Sequence, residues 1–85
     1  MQRYFWYTSC PVCRQGRLHI FEDLTHHRLY LHCDDCERGW LDPESARDPN
    51  ACFLTYEVEF ESRAPTAETI EAYGWSKYAT NTYVE

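Results

Sequence analysis

Two Cys-x2-Cys pairs, Cys10/Cys13 and Cys33/Cys36, stand nineteen residues apart, and this spacing restricts the fold more than any other feature of the sequence. Two residues between paired cysteines let one tight turn present both sulfurs to the same ion. A hairpin of the intervening length returns the second turn to the first. Four thiolates in a tetrahedron at about 2.3 Å are the commonest structural set for zinc. The spacing therefore predicts one structural Zn2+ held by Cys10, Cys13, Cys33 and Cys36, in the arrangement of a zinc ribbon. Iron of the rubredoxin type takes the same ligands, so spacing alone leaves the two metals open. Disulfides are the reading to set against both. It fits poorly, because a CxxC follows the polar start Met1–Tyr7 at once and nothing there resembles a secretion signal.

Both pairs extend to the same pattern, Cys10-Pro-Val-Cys-Arg-Gln-Gly16 and Cys33-Asp-Asp-Cys-Glu-Arg-Gly39. A glycine three residues after the second cysteine is expected to free the backbone to curl round the metal and point N–H groups at sulfur. Four cysteines fill the coordination shell, and neither an HExxH nor an HxE motif is present, so the sequence predicts no enzyme. His19, His26, His27 and His32 read as surface or half-buried strand and turn residues. His32 should point away from the side of Cys33. Cys52 reads as a small buried side chain rather than a nucleophile.

At 85 residues the chain has material for one domain, residues 1–85, with a modest core that a metal would help to fold. Residues 3–9 read as a strand. Residues 17–22 and 28–33 alternate, with Leu18 and Ile20 on one face and Leu29 and Leu31 together, which predicts a hairpin between the cysteine pairs. Residues 41–51 read as a loop with one helical turn at Pro43–Arg47. Residues 53–61 alternate most clearly of all. Leu54, Tyr56, Val58 and Phe60 face one way, and Thr55, Glu57, Glu59 and Glu61 the other. A short helix is expected over 66–73, capped by Thr66 and ended by Gly74, with Ile70, Tyr73 and Trp75 packed on the sheet. A last strand falls within 76–85. The expected fold is α+β: a zinc ribbon with a small antiparallel sheet of about four strands and one short C-terminal helix.

The formal net charge is −6, and residues 41–85 carry all of it. Such a balance opposes binding to phosphate backbones, so nucleic acid is an unlikely partner. The alternative, a nucleic-acid-binding ribbon of transcription or translation, would rest on Arg14, Arg17, Arg28 and Arg38. The charge instead suits a basic protein partner. The candidate contacts are the Glu57, Glu59 and Glu61 face and the acidic second turn at Asp34 and Asp35. Of the many aromatics, most are expected in the core, with Tyr78 and Tyr83 the exposed pair. No stretch is apolar enough to span a bilayer. The expected compartment is the cytoplasm and the expected state a monomer or dimer.

The CPxC and hCDDC pairs, the loop at Asp42-Pro43-Glu44, and Pro65-Thr66, Ile70-Glu71 and Gly74-Trp75 together resemble a group of small bacterial zinc-ribbon proteins. Some of that kind are similar to immunity proteins encoded beside polymorphic or contact-dependent toxins. The resemblance covers about residues 6–78 and implies a cytoplasmic inhibitor of a toxin domain. Its cysteines are specific for metal, and it assigns no binding residues.

Overall fold

In the computed structural model, which describes residues 1–57 and 59–85 and Tyr56 by its backbone, the aromatic-rich N-terminal run forms β1 (Arg3–Ser9). The two alternating runs between the cysteine pairs form β2 (Arg17–Asp23) and β3 (Arg28–Cys33) as expected. These strands pair antiparallel from Leu18↔Cys33 to Asp23↔Arg28. Four shorter strands complete the sheet: β4 (Arg38–Trp40), β5 (Phe53–Leu54), β6 (Ser62–Arg63) and β7 (Asn81–Val84). The order is β5-β4-β3-β2-β1-β7, with β6 on β2. The sheet thus has seven strands among the described residues rather than four. One extra residue in β1 between the Trp6↔His19 and Ser9↔Arg17 pairs bulges that strand as it enters the first cysteine turn.

The continuous strand expected over 53–61 does not form. Its partner β4 has only three residues, so the ladder runs out after Leu54. There both the N–H and the hydroxyl of Thr55 donate to the Glu37 carbonyl, at 3.1 and 2.6 Å, and Thr55–Glu57 turns into one 3-10 turn. The chain is caught again at Glu61. Its N–H donates to Thr25 Oγ1 at 2.9 Å and its carbonyl accepts from Leu24 N–H at 2.8 Å, which delivers Ser62–Arg63 to β2. Three glutamates on one strand face would also have repelled one another. Val58 lies outside the described residues.

One face of the sheet holds the core. Leu18, Ile20, Leu31, Trp40, Cys10 and Cys33 are all fully buried there. Trp40 satisfies its indole N–H on the Asp48 carbonyl at 3.0 Å, which ties the 41–51 loop down. Within that loop, Pro43–Ser45 forms the expected helical turn, capped by the Asp42 carboxylate. The helix α1 (Ala67–Ala72) begins at Thr66, whose hydroxyl accepts from Thr69 N–H, and Gly74 follows at φ 77. Ile70 is its fully buried contact with the core. Tyr73 sits at the helix end and is 38% exposed rather than packed on the sheet. Trp75 packs against the core as expected. Tyr78 also corrects the reading of the aromatics. It is buried edge-on against Tyr7 and Trp75 and donates to Glu44 Oε1.

Candidate metal centre

The four cysteines arrive from the two turns that flank the β2–β3 hairpin. Cys33 is the last residue of β3 and pairs with Leu18, so the ladder itself fixes its height beside the first turn. Their four sulfurs lie within 4.8 Å of one another. Cys10 Sγ is 3.7 Å from Cys36 Sγ, and Cys13 Sγ is 3.6 Å from Cys33 Sγ. A tetrahedron with metal–sulfur bonds of about 2.3 Å has edges of about 3.8 Å, so the set fits a four-sulfur metal site. The spacings are far from the ~2.05 Å of a disulfide.

Backbone N–H groups aim at the sulfurs, each at 3.4 Å: Val12 to Cys10, Gly16 to Cys13, and Asp35 and Cys36 both to Cys33. The donors of Gln15 and Gly16 bring the Cys13 thiol down to about 7. Burial pushes the thiols of Cys10 and Cys33 up, so that a cation is needed to hold them as thiolates. Binding a metal would therefore release protons.

The two turns are conformational copies, but not through their glycines. The left-handed residue in each directly follows the second cysteine: Arg14 at φ 60 and Glu37 at φ 63. Gly16 is required for space instead. A Cβ there would overlap Cys33 Sγ and lie 2.9 Å from Asp34 Oδ1 and Asp35 Cβ. Gly39 has moved into β4, where it pairs with His32 and Phe53.

Comparison of the chain with protein-family models, with curated proteins and with solved structures finds no match.

The histidines differ from expectation at one position. His32 points away from the Cys33 side, as alternation requires, and bonds Glu37 Oε2 at 2.9 Å. His19 is 3% exposed, fully buried rather than on the surface or half-buried. Its Nε2 meets the Tyr83 hydroxyl at 2.7 Å, and its Nδ1 has no hydrogen-bond partner, with Asp34 Oδ2 at 3.8 Å. Burial lowers its pKa, and the nearby Asp34 carboxylate offsets only part of that. Asp23, at the other end of β2, is a buried carboxylate that alternation did not reveal. Burial alone would raise its pKa. Hydrogen bonds from the His26 N–H, the His26 ring and Arg28 outweigh that and hold it below the ordinary value. Cys52 is half-buried rather than buried, with its thiol donating to the Pro49 carbonyl at 3.2 Å.

Of the candidate partner contacts, Asp34 is exposed but engaged by its own chain. It accepts from Arg17 N–H at 2.9 Å and pairs with the Arg17 side chain at 3.6 Å. Asp35, Glu57, Glu59 and Glu61 are exposed. With no continuous strand over 53–61, Glu57 lies on the 3-10 turn and Glu59 and Glu61 on irregular backbone before β6, rather than on one flat ladder. No helix among the described residues is long and apolar enough to cross a membrane.

Proposed function

We propose that the chain is a non-enzymatic protein-binding module built on a structural zinc ribbon, with a basic protein as its partner. Its most concrete form is an inhibitor of a cognate toxin domain, acting in the cytoplasm. The observation that supports it most is the closed set of four sulfurs. Cys10, Cys13, Cys33 and Cys36 would fill all four tetrahedral positions of a zinc ion and leave none for water or substrate. A metal held this way ties two turns together and supplies no chemistry of its own. Zinc is the ion such a shell most commonly holds in a folded scaffold.

What is left to act is the surface, and it is acidic. Glu57, Glu59 and Glu61 stand exposed on one loop, in the half of the chain that carries the whole net charge of −6. A basic cleft would be steered onto that loop, and the encounter would weaken with salt. The family resemblance of the sequence supplies the toxin as the kind of basic partner.

Affinity capture of the tagged chain from its own cells, read by mass spectrometry, tests this. A stoichiometric basic protein is expected, and the purified chain should suppress that protein's activity. Capture of nucleic acid, or of polymerase and ribosome components only, would move the reading to a nucleic-acid-binding ribbon. Replacing Glu57, Glu59 and Glu61 together by Ala should leave folding intact and weaken capture of the partner at least about tenfold, in the range seen for truncated interface charges. Unchanged affinity would remove the acidic loop from the account.

A further inference from the structure

A solvent-open cavity of about 360 Å3 lies between the 41–51 loop, β5 and Phe60. Its apolar walls are Leu41, Ala51, Phe53 and Phe60. Leu41 is 46% exposed, Ala51 is exposed, and the two phenyl rings are half-buried. Two fixtures shape the cavity. The buried Tyr30 ring meets Phe60 edge-on at 5.4 Å and Phe53 at 6.2 Å, so one ring braces both phenyl walls. On the loop side the Asp48 carbonyl accepts from the Trp40 indole at 3.0 Å and from the Ala51 N–H at 3.2 Å, which ties that wall to the core. A recess of this volume stands at the lower end of binding cavities and suits one large side chain.

Acid flanks the apolar walls. Asp42 follows Leu41, and Glu59 and Glu61 stand on either side of Phe60. All three carboxylates are exposed. Residues 41–61 hold six acidic groups against one basic, Arg47. Two charges near the cavity are matched within the chain: Arg28 in its wall by the buried Asp23 at 3.2 Å, and Glu44 by Lys77 at 3.7 Å. Asp42 accepts the Glu44 N–H on one oxygen and keeps its charge. The rim is therefore negative. It repels a phosphate backbone, and it repels the same rim on a second copy.

We propose that this cavity takes one large apolar side chain of the basic protein partner, presented between lysine or arginine residues that meet Asp42, Glu59 and Glu61. The proposal rests on the reading of the partner as basic and gives that partner a local signature, an aromatic or aliphatic anchor flanked by cations. An interface of this form has a desolvated anchor in a pocket at its centre and charge at its rim. The acidic rim steers the approach and selects the partner, and the filled cavity slows its departure.

Titration of the metal-loaded full chain with the peptide acetyl-Lys-Lys-Phe-Lys-Lys-amide, followed by amide NMR shifts, tests it. The amides of Leu41, Ala51, Phe53 and Phe60 should shift together, with a Kd on the order of 1 mM. The same peptide with alanine for phenylalanine should bind at least about tenfold more weakly, as the loss of one buried ring requires. Serine in place of the four lysines should weaken binding several-fold. Ala51→Trp, at an exposed position, should fill the cavity and abolish the shifts. Where circular dichroism shows that this variant has lost its fold, Leu41→Ser takes its place and should weaken binding several-fold. Equal binding of the phenylalanine and alanine peptides overturns the proposal, as does a Kd that these variants leave unchanged. Equal binding of the serine-flanked peptide overturns it in favour of an uncharged apolar ligand. Shifts of the same amides on concentrating the protein alone would assign the cavity to a second copy instead. Affinity capture separates the cavity from the partner. A basic protein held equally by wild type and by Ala51→Trp keeps the basic partner and removes the cavity. Peptide binding as expected, with no basic protein captured, upholds the cavity's specificity and removes the partner.

Discussion

At Gly16 a single hydrogen atom in place of a methyl group decides whether the two cysteine turns can close. A Cβ there would meet Cys33 Sγ, the Asp34 carboxylate and Asp35 Cβ, on a turn held by the ladder and by the sulfur cluster. Gly16→Ala should therefore lower metal affinity by about tenfold or more, in the range found when groups supporting a metal shell are lost, and a chelator competition would measure it. Wild-type affinity would mean that the second turn yields more easily than its hydrogen bonds imply. His19 makes a second prediction. Its folded-state pKa lies below the ordinary 6.5, so the unfolded chain takes up the proton first as pH falls. The sign follows: stability is full above about pH 6.5 and declines as pH falls through the window below it. His19→Phe should flatten that part of the stability curve, read by urea denaturation at a series of pH values. An unchanged slope would place the titration elsewhere. Neither residue was marked correctly by the sequence. The glycine was noticed for backbone freedom, yet the left-handed positions belong to Arg14 and Glu37. The histidine sits in an alternating strand at a position that reads as surface or half-buried, and the rings of Tyr4, Phe21 and Tyr83 gather round it.

Among the elements, the β2–β3 hairpin was legible because its alternation and its ladder coincide over the whole length. The 53–61 segment alternates at least as clearly, but a strand needs a neighbour as well as a period. No sequence pattern announces that β4 stops after three residues. β7 was foreseen as a last strand within 76–85 but without a neighbour, since its pairing partner β1 lies at the other end of the chain. The helix was legible from its caps. With six residues it would not hold alone in water, so Thr66 and the burial of Ile70 carry it. Thr66→Ala should cost about 1 kcal/mol, seen as a lower melting temperature, with the metal content unchanged. A loss of metal on this substitution would show that the helix and the cysteine cluster are coupled more closely than their packing suggests.

Over the whole molecule, the cysteine cluster and the apolar core are continuous. Cys10 and Cys33 are buried in the same cluster as Leu18, Leu31 and Trp40. Removing the ion should not melt the cysteine turns alone but unfold the chain in one transition, with the near-ultraviolet signal of Trp40 lost together with the strands. A chelated chain that kept its near-ultraviolet spectrum would contradict this. The four cysteines were legible from spacing alone, whereas the rings round His19 were not. Tyr, Trp and Phe at alternate positions read as core on either side of a sheet, and the side they take depends on where α1 docks. We propose that Cys10, Cys13, Cys33 and Cys36 hold one zinc ion in a closed shell. Metal-edge X-ray absorption of the purified protein tests it most directly. An absorption edge of zinc and a single shell of four sulfurs at about 2.3 Å are expected. An iron edge, or a shell in which oxygen or nitrogen replaces a sulfur, would contradict it.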